Sequence, residues 1–237
     1  MISKDDARTI VGILGNIISV SLFLSPLPTF YKIWKKKAVE QYSALPYLAT
    51  FFNCGLWILY GLPMVKPNST LVLTVNGAGF AIEIVYLSLF LIYSIPMKRL
   101  RLVAVVVAEC FFLAALALCV LLLVKKPKSR SDIIGSICMA GNIMMYAAPL
   151  SIMKLVTTTK SVEFMPFFIS FFSFINGLCW TTYALLKFDA FILVCAEFDR
   201  ISAGVCAAGV IRELLQIDAE DFGAEESAGR GCEPGQN

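Results

Sequence analysis

The stretch LVAVVVAECFFLAALALCVLLLV, residues 102–124, decides the fold. Apart from Glu109 and two cysteines it is apolar throughout, and as a helix it is long enough to cross a hydrocarbon core of about 30 Å. It has no counterpart elsewhere in the chain, whereas the segments on its two sides repeat each other. Because two sets of three spans joined directly would lie in opposite orientations, this single span predicts two parallel sets with an inverting linker between them.

The composition indicates a polytopic membrane protein. Of the 237 residues, 58% are hydrophobic and 16% are charged, whereas soluble domains average about 45–50% and about 25%. The net charge of +3 is spread through the loops and does not indicate a nucleic-acid partner. The chain has no histidine, no C-x-x-C pair and no phosphate-binding G-x-x-x-x-G-K motif, so we expect neither an enzyme nor a cofactor or metal site.

Apolar segments long enough to cross a membrane alternate with short polar connections. The clear segments are 9–31, 43–64, 71–94, 102–124, 133–156 and 164–186, and 190–211 is a doubtful seventh. We therefore expect an all-α membrane protein of two parallel three-helix bundles, at 9–94 and 133–211, joined by a linker helix at 102–124. The acidic, glycine-rich tail at 212–237 is expected to be disordered.

Internal repetition supports this arrangement. Nine identities share one offset of 123 residues, and they include tryptophan, proline and asparagine, which hydrophobicity alone does not align. The pairs are Gly12/Gly135, Pro26/Pro149, Leu27/Leu150, Lys37/Lys160, Val39/Val162, Glu40/Glu163, Asn53/Asn176, Trp57/Trp180 and Tyr60/Tyr183. A duplicated three-span unit explains them.

Several motifs resemble the SWEET family of sugar facilitators, of plant type. They are FLSPLPTF at 23–30, YGLPMV at 60–65, TVNGAG at 74–79, YAAPLSIMKLV at 146–156 and TKSVEFMPF at 159–167. The resemblance covers about residues 1–194. It implies parallel repeats around a sugar site near the membrane midplane, an arrangement for which this family is a standard example.

Trp57 and Trp180 are candidates for sugar binding. An indole face can cover the C–H patches of a sugar while its N–H remains free to bond, and two equivalent indoles could hold one ring from both sides. Bulk packing or an interfacial belt is the alternative. The resemblance implies that both side chains face the sugar.

Asn76 lies inside the third span, where an amide needs a helix partner or a ligand. Its amide offers a donor and an acceptor to a sugar hydroxyl, and the alternative is a bond between helices. The resemblance assigns the sugar-binding role to Asn76. The asparagines at 16, 53, 142 and 176 are assigned to bonds between helices.

Four prolines, Pro26, Pro46, Pro149 and Pro166, fall in the first two spans of each half. Each deletes a backbone hydrogen bond and weakens its helix locally, so four in corresponding helices favour a hinge over static kinks. The resemblance implies the same proline tetrad.

Glu83 and Glu109 are the only carboxylates in the clear spans, and an intramembrane acid is a candidate proton relay. Neither recurs in the other repeat, and no Asp/His chain accompanies them. We therefore expect transport that is not coupled to protons.

The basic loops at 32–37 and 98–101 predict an N-terminus outside a multi-pass cell membrane, by the positive-inside tendency. Like these loops, Arg8 is interpreted as a solvated charge that helps to set the orientation of the chain in the membrane.

The segment AFILVCAEFDRISAGVCAAGVI departs from the family pattern. Ala196 stands where the resemblance places a second asparagine. Glu197, Asp199 and Arg200 would cost about 7–10 kcal/mol in mid-membrane against about 3–5 kcal/mol gained from apolar residues, unless Glu197 and Arg200 pair. The loss of resemblance after Val194 is interpreted as an altered transcript end or an error in the gene model.

The sequence thus predicts a bidirectional uniporter for a neutral mono- or disaccharide, with a hexose such as glucose favoured by the YGLPMV and FNCGLW regions. We expect the protein to lie in a lipid bilayer and to form homo-oligomers, or hetero-oligomers with related transporters. The alternative is a transport-inactive truncated form that acts by hetero-oligomerisation. An ion-coupled transporter of the related PQ-loop type is weaker because the coupling acids are missing.

Overall fold

The computed structural model describes residues 3–40, 42–156, 165–205 and 208, and within 143–156 and 165–168 it describes the backbone alone. All regular secondary structure in these ranges is helical. The helices are α1 (Lys4–Phe23), α2 (Leu27–Lys36), α3 (Leu45–Gly61), α4 (Thr70–Tyr93), α5 (Pro96–Leu123), α6 (Pro127–Val156), α7 (Met165–Leu186) and α8 (residues 190–205). The tail at 212–237 lies outside the described residues.

Four stretches of the described chain are long and apolar enough to cross a membrane. They are Lys4–Lys36, Thr70–Tyr93, Pro96–Leu123 and Ile169–Leu186. The first of them combines α1 and α2. The all-helical membrane fold expected from the sequence is therefore confirmed.

The first span is interrupted at Pro26. The N–H groups of Ser25 and Leu27 donate to carbonyls three residues earlier, at 3.0 Å each, and α2 begins immediately after Pro26. Proline has no N–H to donate, so regular helical bonding does not continue through this turn. Pro149, at the equivalent position of the second half, lies inside α6, whose backbone stays helical.

Pro46 and Pro166 each occupy the second position of a helix, in α3 and α7. The N–H groups of a first helical turn have no partner within the helix, so proline deletes no bond there. The four prolines expected to act as hinges thus fall into two structural classes.

The halves contact each other through equivalent helix pairs. α1 packs against α7 and α3 packs against α6, and the offset of the repeat relates one pair to the other. α5 contacts α3, α4 and α6 from the periphery. Its Phe111, Leu122 and Leu123 are 75%, 74% and 77% exposed, as expected of a helix that faces lipid.

Two apolar clusters lie at opposite ends of the molecule. One contains Leu56, Tyr60 and Tyr183 and joins the two halves near the start of α1. The other surrounds the stacked rings of Phe30 and Tyr86, whose centroids are 4.0 Å apart, and is confined to α2–α5. The first cluster therefore joins the two halves on the membrane face where α1 begins.

Candidate functional site

A cavity of about 470 Å³ lies between the two halves, within the range of about 300–1,000 Å³ typical of small-molecule sites. It is lined by residues from both halves, including Trp57, Asn76 and Trp180, the three residues predicted to bind substrate. Pro26 and Pro46 also line it, whereas the side chains of Pro149 and Pro166 lie outside the described residues.

The two indoles are held in equivalent ways by the opposite half. Trp57 donates its Nε1–H to Asn142 Oδ1 at 3.3 Å, and Trp180 donates its Nε1–H to Ser19 Oγ at 3.2 Å. Ser19 and Asn142 are themselves 123 positions apart. Both indole N–H groups are therefore occupied by polar groups of the opposite half, and the ring faces are what the tryptophans have left to offer a ligand.

The two equivalent asparagines of α3 and α7 differ in their partners. Asn176 Oδ1 accepts the Ser19 hydroxyl proton at 2.7 Å, whereas the buried Oδ1 of Asn53 has no hydrogen-bond partner among the described residues. The assignment of Asn53, Asn142 and Asn176 to bonds between helices alone is incomplete, because all three line the cavity. Asn16 does bond between helices, donating to the Leu71 carbonyl at 3.3 Å.

Asn76 bonds within its own helix. Its Nδ2 donates to the Val72 carbonyl at 2.9 Å, one turn earlier in α4. Asn76 makes no bond to another helix among the side chains that the structure describes. With its amino group held in this way, the carbonyl of the Asn76 amide is available as an acceptor at the cavity wall.

The helix α8 contributes Ala196 and Asp199 to the cavity. Ala196 stands at the wall, as its alignment with a family asparagine predicts, but it offers no polar group. Asp199 is a cavity residue that the sequence analysis missed, because it counted the charges of this segment only as a cost of insertion. Glu197 and Arg200 do pair, through Arg200 Nε to Glu197 Oε2 at 3.0 Å.

On the face where α1 begins, a buried polar cluster closes the molecule above the cavity. The Tyr60 hydroxyl donates to the Asp189 carboxylate, with oxygen distances of 2.8 and 2.9 Å, and Lys66 Nζ lies 3.0 Å from Asp189 Oδ2. Lys66 and Asp189 occupy equivalent repeat positions, so the ion pair joins the two halves. Sequence reasoning missed this pair because a search for identities at a fixed offset does not find opposite charges.

Glu83 lines the part of the cavity near Tyr47 and Cys54. It is 3% exposed, and its Oε2 has no hydrogen-bond partner among the described residues.

Sequence comparison places the chain among sugar transporters. Residues 9–98 and 132–204 match the family described as sugar efflux transporter for intercellular exchange, which extends beyond Val194, where the sequence analysis ended the resemblance. The bidirectional sugar transporter SWEET4 of Oryza sativa subsp. japonica is 53% identical over 194 residues, which are 82% of this chain and 75% of that protein. The bidirectional sugar transporter SWEET5 of Arabidopsis thaliana is 47% identical over 217 residues, covering 92% and 88% of the two chains.

Structural comparison agrees. The 3.7 Å structure of a eukaryotic SWEET transporter matches with a TM-score of 0.84 and 33% identity, over 89% of this chain and 98% of that chain. The match confirms the arrangement of two three-helix bundles and a linker helix. This chain belongs to the SWEET family, the sugar efflux transporters for intercellular exchange.

Proposed function

We propose that this protein is a bidirectional uniporter for a neutral sugar, with a hexose such as glucose as its substrate. The names of its relatives, which are bidirectional sugar transporters, support sugar as the substrate class. The observation that carries the proposal is the equivalent pair Trp57 and Trp180, each fixed through its N–H to the opposite half. Held in this way, the two ring faces are preorganised for the C–H faces of a sugar ring.

The polar lining suits a neutral polyol. Asn53, Asn76 and Asn176 present amide groups, which can both donate to and accept from hydroxyls. No lysine or arginine is among the described residues that line the cavity, so no cation is available there to favour an anionic substrate. Asn76 is the amide we assign to substrate together with the two tryptophans.

Alternating access explains the closure seen on one face. The Tyr60–Asp189–Lys66 cluster holds the halves together there, and it must separate for sugar to exchange with that side. We propose that Pro26, Pro46, Pro149 and Pro166 allow the rocking that opens it. We infer that the sugar gradient alone drives transport, because neither Glu83 nor Glu109 recurs in the other repeat.

The proposal that the chain is a transport-inactive form loses its main support. That reading depended on a damaged seventh span, but residues 190–205 form the helix α8. Its Ile192 and Cys195 are buried in the core cluster that joins the halves. We place the protein in the cell membrane with its N-terminus outside; assembly into homo-oligomers, or with related transporters, remains a prediction from the family.

Uptake of labelled glucose by yeast that lacks hexose transporters tests the proposed function. We expect uptake with the unchanged chain, loss of at least about tenfold in Trp180→Ala, and a smaller loss in Trp180→Phe, which keeps a ring face without the N–H. Surface abundance measured for each variant separates transport from folding. Equal loss in both variants at normal abundance would mean that the ring face does not bind the sugar.

A further inference from the structure

A second pocket, of about 510 Å³, lies on the membrane face where α1 begins and is separate from the central cavity. It is formed by the start of α1, the start of α4 and the end of α7. The side chains that matter for its chemistry are Asp5, Arg8, Thr70, Tyr183 and Lys187. Nothing in the sugar-transport mechanism uses this pocket.

Arg8 is the buried charge of the pocket. It is 9% exposed, its guanidinium carbon lies 4.0 Å from the centroid of the Tyr183 ring, and its Nη1 donates to the Asn68 carbonyl at 3.1 Å. Its Nε is buried and has no hydrogen-bond partner among the described residues. The sequence-based assignment of Arg8 to a solvated topology signal is therefore wrong, and this buried cation has one unpaired donor and no carboxylate partner among the described residues.

The surroundings of Arg8 add positive potential. Lys187 lines the same pocket, is exposed and forms no ion pair in the described part of the chain. Thr70 begins α4, and Ser69 before it makes no side-chain capping bond, so the positive end of the α4 dipole points to this region. Asp5 opposes these charges, but the three ionised side chains still sum to one positive charge.

The pocket also borders the lipid-facing surface. The helix ends that form it lie where helices leave the membrane, and Ile10, Ile13 and Ile17 of α1 are 50%, 46% and 59% exposed beside it. A basic pocket at the ends of membrane-spanning helices can hold a lipid headgroup by charge attraction, and the acyl chains of that lipid would then cover the neighbouring apolar helix surface.

We propose that this pocket binds a phosphate group through Arg8 and Lys187. The phosphate belongs either to the headgroup of an anionic lipid or to a soluble phosphate compound, and the recognition chemistry is the same. The pocket adjoins the substrate site, because Tyr183 contacts both Arg8 and Trp180, whose ring centroid is 5.3 Å from that of Tyr183.

Native mass spectrometry of the purified full chain, in a polyoxyethylene detergent that has no sugar headgroup, tests the proposal. The protein is titrated with phosphatidylglycerol, with phosphatidylcholine as the zwitterionic comparison and with inorganic phosphate as competitor. We expect one phosphatidylglycerol to bind in preference to phosphatidylcholine. Displacement by inorganic phosphate would identify a soluble phosphate as a sufficient ligand, and no displacement would identify the lipid.

Variants assign the binding to the pocket. Arg8→Gln is expected to weaken binding by about tenfold, the value for a charge-assisted hydrogen bond, and Lys187→Gln by about threefold. Asp5→Asn removes the opposing charge and is expected to strengthen it. The control is Lys126→Gln, an exposed charge on the same face outside the pocket.

Lys187 and Asp5 make no side-chain contacts that folding needs in the described structure, so they decide the result even if Arg8→Gln misfolds. Binding that is unchanged in both Lys187→Gln and Asp5→Asn would overturn the proposal. So would the absence of any preference for phosphatidylglycerol together with no binding of inorganic phosphate.

Discussion

Asn53 and Asn176 occupy equivalent positions, yet among the described residues only Asn176 has a hydrogen-bond partner for its Oδ1. Ser19 donates to Asn176 Oδ1, whereas its equivalent, Asn142, uses its own Oδ1 to accept from Trp57. Asn53 Oδ1 is buried and has no hydrogen-bond partner among the described residues, although Asn53 lines the cavity. We propose that a sugar hydroxyl supplies this donor when substrate binds.

Replacing these two asparagines should therefore have different effects. Asn53→Ala removes a hydrogen bond to the sugar and is expected to raise KM for glucose by about 2- to 10-fold, without loss of thermal stability. Asn176→Ala, the matched control, breaks the Ser19 bond and is expected to lower the melting temperature. KM from initial uptake rates and thermal unfolding in detergent measure the two effects; reduced stability with unchanged KM in Asn53→Ala would contradict this assignment.

The sequence identifies Trp57 and Trp180 because they recur at one offset, but their partners escape the same search. Ser19 and Asn142 occupy equivalent positions of the repeat but are different residue types, and the same holds for Lys66 and Asp189. Ser19 and Asn142 each accept from the tryptophan of the opposite half, whereas Lys66 and Asp189 pair with each other. Because the members of each pair differ in residue type, a search for identities finds neither pair. A search for complementary residues at the offset of 123 would have found the Lys66–Asp189 pair.

The α8 helix illustrates why adding the insertion costs of single residues misleads. Arg200 pairs with Glu197 one turn earlier, and Glu197 Oε1 accepts from Thr181 of α7 at 3.2 Å. Gly177 permits the close approach of the two helices, because a Cβ there would lie 3.1 Å from the Ala196 carbonyl oxygen. The charges thus interact within the bundle, and their cost is smaller than for separate charges in lipid.

Breaking that pair is expected to be worse than removing it. Arg200→Met leaves the Glu197 carboxylate without its cation. It should lower the free energy of unfolding by about 1 kcal/mol, since both groups are about one third exposed, and with it the melting temperature and the surface abundance. Glu197→Gln with Arg200→Met should recover part of the loss. A double variant whose loss equals the sum of the two single losses would show that the pair makes no contribution.

The helix positions of the prolines give the hinge proposal a sharper test. Pro149 lies within α6, where it deletes a helical hydrogen bond, whereas Pro46 lies in the first turn of α3, where it deletes none. We expect Pro149→Ala to reduce flux several-fold at unchanged surface abundance, and Pro46→Ala to have the smaller effect on flux. Normal transport by Pro149→Ala would remove this proline from the hinge.

The positions of the helices were largely predictable from the length of the apolar segments, but the interruptions within those segments were not. The predicted spans at 71–94 and 102–124 correspond to Thr70–Tyr93 and the membrane part of Pro96–Leu123. The predicted span at 9–31 is two helices, because both sides of Pro26 are apolar and hydropathy does not register the missing N–H. The prediction of α8 as a span was doubtful because a hydropathy scale counts the charges of Glu197, Asp199 and Arg200 but not the pairing of Glu197 with Arg200.

The molecule as a whole is closed on one face by groups from both halves. Tyr60, Lys66 and Asp189 meet above the cavity, and the cross-half apolar cluster surrounds them. On the other face the described cluster around Phe30 stays within α2–α5. Closure of one face by groups from both halves is the arrangement that a rocking movement of the halves would have to open.

Counterflow of labelled glucose in liposomes that contain only this protein tests the central claim most directly, because counterflow needs a carrier but no energy source. The account predicts that labelled glucose accumulates against unlabelled internal glucose, at a rate independent of an imposed pH gradient, and that Trp57→Ala and Trp180→Ala each abolish it. Absence of counterflow from correctly folded protein, or a rate that follows the pH gradient and loses that dependence in Glu83→Gln, would contradict uncoupled sugar transport.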